Sequence, residues 1–423
     1  MAEVVEKIIG SPRMLTPVPL DNLRRKLRVG CFTLEGLNSL STAYYFNYLF
    51  FYLQQHFGFG NRDNLLITAL YGFIYMFAAR YAGQFAQKHG YFFALRVGFT
   101  GMGLTMALGG LAPRILGYTS TTVLAEVGVV VLWTLTMCLT WPTLQSLLSR
   151  NQSPGELSET AGVYNMVWAC TSATAYLTGG ALLAAFGDEI LFWLPVGLHL
   201  TQLALLPRLK KISAQIIAAE PVAGAKAENL PPLNPRPIAK ARTFVLLARI
   251  ANPFAYVAMY GIIPVIPKLS QHFGLTPAYA GLVCSVWFWA RLGAFAWLRH
   301  WPGWHYRFRW LLGAFLSLIA SFLGMLLSSQ LWMLVTAQVV FGLAIGLIYY
   351  SSLFYSMDVG ELKGKSGGLH EAAIGLGVFI GPTAGVTALH FFPQQANSGT
   401  WGIGALLVVG LLMFLVVQYR SKK

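Results

Sequence analysis

The feature that most restricts this chain is a succession of apolar runs, each long enough to cross a lipid bilayer, separated by short turns that hold most of its positive charge. A spanning helix needs about 20 largely apolar residues. Runs of that kind fall at residues 28–54, 63–83, 92–113, 120–149, 159–185 and 189–206, then again at 243–271, 276–298, 309–329, 331–356, 367–391 and 400–418. Hydrocarbon offers an open backbone no hydrogen bonds, so segments of this length must be helices. The expected fold class is an all-α polytopic membrane protein with twelve transmembrane helices. Composition agrees, with 56% of the 423 residues hydrophobic and only 11% charged; a soluble domain carries about 25% charged residues. So apolar and aromatic a chain is not a disordered one.

A net charge of +15 would ordinarily raise nucleic acid as a partner. That reading needs a basic patch on one soluble face, and here the charges punctuate apolar runs instead, so no nucleic-acid partner is expected. Basic residues concentrate in cytoplasmic loops. With the N-terminus inside, 24 of the 30 Lys and Arg fall in the tails and the loops after even-numbered spans, and only Arg62 and Arg114 fall outside. Both termini are therefore expected in the cytoplasm. The region 207–242 holds six prolines and seven basic residues and reads as a cytoplasmic linker. It divides the chain into a tail (1–27), an N-terminal six-helix half (28–206), a C-terminal six-helix half (243–418) and a short tail (419–423). The polar, basic N-terminus and the length of the first apolar run do not fit a removable signal peptide. Cys31, Cys138, Cys170 and Cys284 sit inside apolar runs without paired spacing, which fits neither a disulfide framework nor a metal site.

The two halves repeat. Gln55-His56-Phe57-Gly58 returns as Gln271-His272-Phe273-Gly274, each ending the first span of its half. Ala79-Arg80 and Lys88-His89 return as Ala290-Arg291 and Arg299-His300, and Gly155-Glu156-Leu157 returns as Gly360-Glu361-Leu362. Three matches in one order, each at the equivalent helix, indicate two parallel repeats with a site expected at their interface near mid-membrane.

With twelve spans, two parallel repeats and a basic central linker, the chain resembles the major facilitator superfamily over essentially its whole length. In that family the loop between spans 2 and 3 reads roughly G-x-x-x-D-[RK]-x-G-[RK]. Here Gly83, Lys88 and Gly90 match, while Gln87 and Tyr91 replace an Asp and a basic residue. Gly377-x-x-x-Gly381-Pro382-x-x-Gly385 matches a motif that the family's proton antiporters usually carry in span 5, but here it lies in span 11, where close helix packing is the simpler reading. The resemblance implies a secondary transporter working by alternating access.

Ionisable groups inside spans are costly and are candidates for function. The resemblance places spans 2 and 11 against each other, so Arg80 and Glu371 are expected to pair there; Arg291 would face span 5, where Asn165 occupies the register of His370. Arg80, Lys88, Asn165, Arg291, His370 and Glu371 then form an expected gate. The alternative is that the arginines snorkel to lipid headgroups. Glu35 and Arg249 lie at similar depth and either pair, or Glu35 carries a coupling proton; Glu126 is the other proton candidate.

Spans 1, 4, 7 and 10 line the cavity in this superfamily. They place Asn38, Tyr45, Asn47, Trp141, Gln145, Asn252, Tyr256 and Tyr349 as expected substrate contacts, beside Tyr44, Tyr48, Trp133, Tyr260, Tyr350 and Tyr355. Aromatic rings and amides suit a sugar- or nucleoside-like solute better than a highly charged one; interfacial aromatic belts are the competing account. No nucleophile with its base, metal constellation or phosphate loop is visible, so neither enzyme activity nor a cofactor is expected. The expected function is secondary active transport of a small organic solute, with protons as the coupling partner, by a monomer surrounded by lipid in the cell inner (plasma) membrane. A proton antiporter exporting drugs or metabolites is the near alternative, and a non-transporting receptor or scaffold the distant one.

Overall fold

The computed structural model describes residues 20–149, 154–219, 238–358 and 365–421. The N-terminal 19 residues, the Asn151-Gln152-Ser153 triplet and the centre of the 207–242 linker lie outside the described residues, as do the Gly360-Glu361-Leu362 copy of the third repeat and the side chain of Leu157 in the first copy. Among the described residues, eleven helices are long and apolar enough to cross a membrane. The helix that precedes them, α1 (Leu20–Phe57), mixes Asn38, Ser39, Ser41, Thr42 and Asn47 among its apolar residues and buries that polar side.

After α1 come α2 (Asn61–His89), α3 (Tyr91–Leu116), α4 (Ser120–Leu148), α5 (Pro154–Phe186) and α6 (Ile190–Ala219). The second half consists of α7 (Ala241–His272), α8 (Pro277–His300), α9 (Phe308–Leu326), α10 (Leu331–Asp358), α11 (Lys365–Phe391) and α12 (Ser398–Arg420). The twelve-helix fold read from the sequence is the one observed. Leu104, Leu108, Leu124, Leu200 and Leu412 all face outward, an apolar exterior suited to lipid rather than water. The protein is a multi-pass membrane protein.

Among the described residues three helices are interrupted, each for a local reason. Pro142 lacks an N–H and cannot continue the ladder of α4, which breaks at Cys138–Thr140 before restarting at Trp141. Pro264 and Pro267 turn part of α7 into a 3₁₀ segment, Ile263–Val265. The Pro264 carbonyl there accepts a hydrogen bond from Asn64 Nδ2 of α2 at 3.0 Å, so the first half satisfies a backbone group in the second. In α8 the break falls at Ser285, whose hydroxyl turns back to the Leu282 carbonyl.

The helix α6 runs on to Ala219, well past Pro207, where the sequence suggested that the linker begins. Leu206, Leu209, Ser213 and Ile216 form a buried stripe at helical spacing. That stripe holds the extension in place, with Leu209 packed on Gly30 of α1.

The halves meet along two seams, α2 with α11 and α5 with α8. The repeat register exchanges these pairs, so the seams are counterparts. Backbone approaches backbone in both. A Cβ on Gly72 would lie 2.5 Å from the Phe379 nitrogen, and one on Gly180 would strike the Pro277 carbonyl. Gly377 and Gly381 have the same role inside the second half, seating α11 on the Pro253 and Val257 carbonyls of α7.

Candidate functional site

Between the two seams lies a small cavity. Its lining is drawn from both halves: Tyr71 and Tyr75 of α2, Trp141 and Gln145 of α4, and Tyr164, Asn165 and Trp168 of α5 face Tyr256 and Tyr260 of α7, Tyr349 of α10, and Glu371, Ile374 and Val378 of α11. A second lobe shares Tyr71, Trp141, Trp168 and Tyr260 and extends to Ser39, Thr42, Asn47, Ser172 and Met259. Tyr71 and Tyr260 stack across the interface with ring centroids 5.8 Å apart. Trp168 stacks on Tyr349 at 6.3 Å. The result is an aromatic chamber with hydroxyl and amide edges, able to sandwich a ring and hydrogen-bond its substituents.

Two buried carboxyl groups belong to this region. The Tyr75 hydroxyl donates to Oε2 of Glu371 at 2.6 Å, from one half to the other. Oε1 and Oε2 of Glu35 accept from Ser39 and Tyr164, each at 2.6 Å, within the first half. Such short bonds are typical of hydroxyls donating to a charged acceptor.

A buried cation stands at the α5–α8 seam. The Arg291 side chain is 1% exposed. Its guanidinium carbon lies 4.4 Å from the ring centre of Trp168, 5.0 Å from that of Tyr349 and 5.4 Å from that of Phe295. Its Nη1 approaches the Met259 thioether at 3.7 Å, and among the described residues its Nε has no hydrogen-bond acceptor.

Of the expected substrate contacts, Trp141, Gln145, Tyr256 and Tyr349 line the main lobe, and Asn47 lines the second. The other three are elsewhere. Asn38 donates to Thr140 at the α4 break, where it braces the backbone. Tyr45 packs edge-on against Trp133 and beside Phe192 in the core of the first half. Asn252 is buried beside Pro253, outside the lining, and its amide lacks a partner.

The expected gate also needs correction. Arg80 and Glu371 do not pair: Arg80 is exposed, and Glu371 is turned inward onto Tyr75. A long arginine near a helix end reaches the interface more cheaply than it enters the seam. Nor does Glu35 pair with Arg249; both its oxygens are taken inside the first half, while Arg249 is exposed. Lys88 is exposed in the last turn of α2. Arg291 does face α5, but through Trp168; Asn165 accepts instead from the Tyr349 hydroxyl at 3.2 Å, with the His370 ring 6.4 Å from that of Tyr349. Glu126 is buried away from the cavity, in a pocket of Leu49, Leu53, Phe59, Ile67 and valines, with neither oxygen hydrogen-bonded.

Sequence reasoning missed Tyr71, Tyr75, Tyr164 and Trp168, all on α2 and α5. It also missed His199, buried mid-helix between Ser41 and Gln202, which ties α6 to α1. A tyrosine at every fourth position, Tyr71 and Tyr75, was the available signal on α2.

A family model described as the Major Facilitator Superfamily matches residues 31–382. The chain belongs to the major facilitator superfamily. No curated protein matches it. Among solved structures it is similar to a bacterial homologue of the human lysosomal transporter Spinster in an inward-facing and unoccupied conformation. That similarity has a TM-score of 0.66 at 14% identity and covers 94% of this chain and 96% of that one. It is likewise similar to a structure concerned with substrate recognition in proton dependent oligopeptide transporters, with a TM-score of 0.66 at 13% identity, covering 94% of this chain and 98% of that one. Membership of the major facilitator superfamily makes the protein one of a family of transporters.

Proposed function

We propose that this superfamily member carries a small, ring-bearing organic solute of sugar or nucleoside size, coupled to protons, by alternating access. Residues 28–206 and 243–418 are the two bodies that rock about the aromatic chamber, with both termini in the cytoplasm of a cell whose inner membrane the protein spans as a monomer. The distribution of basic residues supports that orientation.

The observation that carries the proposal is the Tyr75–Glu371 hydrogen bond, which joins the halves at the chamber wall. A proton arriving on Glu371 Oε2 competes with the Tyr75 hydroxyl for the same lone pairs. Protonation thus loosens a contact between the halves, and deprotonation restores it, which is how a proton is exchanged for movement. The chamber itself supplies stacking faces and neutral hydrogen-bonding groups for a ring.

The test is transport by the full chain in liposomes carrying a pH gradient, with a panel of radiolabelled ring-bearing solutes. At least one solute is expected to accumulate, and a protonophore to abolish the accumulation. Glu371→Gln should lose accumulation while keeping exchange of labelled for unlabelled solute. Accumulation indifferent to the protonophore would overturn proton coupling; no movement of any solute would overturn the carrier reading.

A further inference from the structure

We infer that the solute carries a carboxylate, or an equivalent single negative charge, and that Arg291 is the group that recognises it. The inference rests on the central chamber being the solute site, and it adds the charge class.

The argument begins with an imbalance. Among the described residues no carboxylate lies within ion-pair reach of Arg291, although its side chain is almost wholly buried. Arginine stays charged at any accessible pH, so it cannot escape burial by losing its proton. Removing such a cation from water costs several kcal/mol, and a desolvated cation–π contact returns only about 2 kcal/mol. Three rings and a thioether therefore leave the guanidinium under-compensated. Its Nε, buried and without an acceptor, is the clearest sign.

The two carboxyl groups of the region do not repair this. Glu371 is engaged by Tyr75, and Glu35 by Ser39 and Tyr164. What covers Arg291 is the chamber wall itself. Trp168, over whose face the guanidinium sits, lines both lobes; Tyr349 lines the main lobe and Met259 the second. An anion placed among these residues lies next to a buried cation that has no carboxylate partner among the described residues, in surroundings where water competes poorly for it. The planar guanidinium also presents paired donors that match a carboxylate. A neutral solute would leave the imbalance in place, and a cationic one would worsen it.

The location makes the interaction sensitive to movement. Trp168 belongs to α5 and Arg291 to α8, the two sides of one seam. A shift along that seam changes the cover over the guanidinium, so the anion can be exposed to the cation in one arrangement and screened from it in another.

The test uses the full-length protein in nanodiscs and three probes that share a ring, namely benzoate, benzamide and benzylamine, read by quenching of tryptophan fluorescence and by thermal shift. Benzoate is expected to bind at least about tenfold more tightly than benzamide, as a hydrogen-bonded charge pair should, and benzylamine more weakly than either. Arg291→Gln should bring benzoate down to the level of benzamide while leaving benzamide binding intact. Arg291→Lys, which keeps the charge, should retain part of the preference. Equal binding of benzoate and benzamide to the unaltered protein overturns the inference and leaves the chamber as a neutral-solute site. A preference for benzoate that survives in Arg291→Gln overturns the role of Arg291. If none of the three binds, the chamber is not the solute site, and the function reading fails with the inference. The comparison of probes on the unaltered protein decides the charge class even if Arg291→Gln does not fold.

Discussion

Tyr75 and Glu371 lie on helices from opposite halves and share a hydrogen bond of 2.6 Å within the seam that α2 and α11 form. This contact occupies the place where the sequence suggested an Arg80–Glu371 ion pair. A neutral hydroxyl can release a carboxylate without stranding a buried positive charge, which an arginine could not do.

The energy of that contact is measurable by a double-mutant cycle on Tyr75→Phe and Glu371→Leu. Chemical unfolding in mixed micelles should give a coupling on the order of 1–3 kcal/mol. A coupling near zero would mean that the two side chains are neighbours without consequence.

Arg80 should behave as a surface residue. Arg80→Ala is expected to alter stability by less than about 0.5 kcal/mol, and exchanging the charges of Arg80 and Glu371 should not rescue what Glu371→Arg loses. Transport restored by the exchange would show that the two groups do meet during the cycle.

Glu126 is a polar residue in an apolar pocket, with no hydrogen bond to either oxygen. Replacing it by a hydrocarbon of similar volume removes an unsatisfied group, so Glu126→Leu should raise stability by roughly 1–3 kcal/mol. A fall in apparent Tm for this variant would argue that the carboxyl has a partner in the folded protein.

Gly72 and Gly128 make a matched pair of tests. Gly72→Val forces a side chain against the α11 backbone and is expected to cost about 1–3 kcal/mol. At Gly128 a Cβ would meet nothing within 4 Å, so Gly128→Ala should gain up to about 1 kcal/mol from helix propensity alone. Unfolding curves of the two variants shifting in the same direction would contradict the seam.

At the end of the bundle away from the termini, the Arg114 guanidinium hydrogen-bonds Glu189 and holds its carboxyl below the usual carboxylate range. A depressed folded-state value means that the contact stabilises above the ordinary carboxylate range and is lost as pH falls through the lowered value. In Arg114→Gln the Glu189 titration midpoint, followed by carbon NMR, should rise; an unchanged midpoint would dismiss the contact.

The bundle was readable in the sequence because length and hydropathy fix a spanning helix almost alone. The chamber was readable only in part. Trp141, Gln145, Tyr256 and Tyr349 were found because the family resemblance says which helices face inward. Tyr71, Tyr75, Tyr164 and Trp168 were not, because in lipid both sides of a helix are apolar and the usual contrast between core and surface is missing. Arg80 and Arg291 show the same gap: they share a repeat register, yet one is exposed and the other 1% exposed. Their difference arises from what lies opposite, which no single segment of sequence records.

The two seams have a consequence for the halves taken singly. Glu371 and Arg291 both belong to the second half, yet the groups that cover them, Tyr75 and Trp168, come from the first. The second half on its own would leave Glu371 without the Tyr75 hydroxyl and Arg291 without the Trp168 face. The interior of the second half is thus completed by side chains of the first.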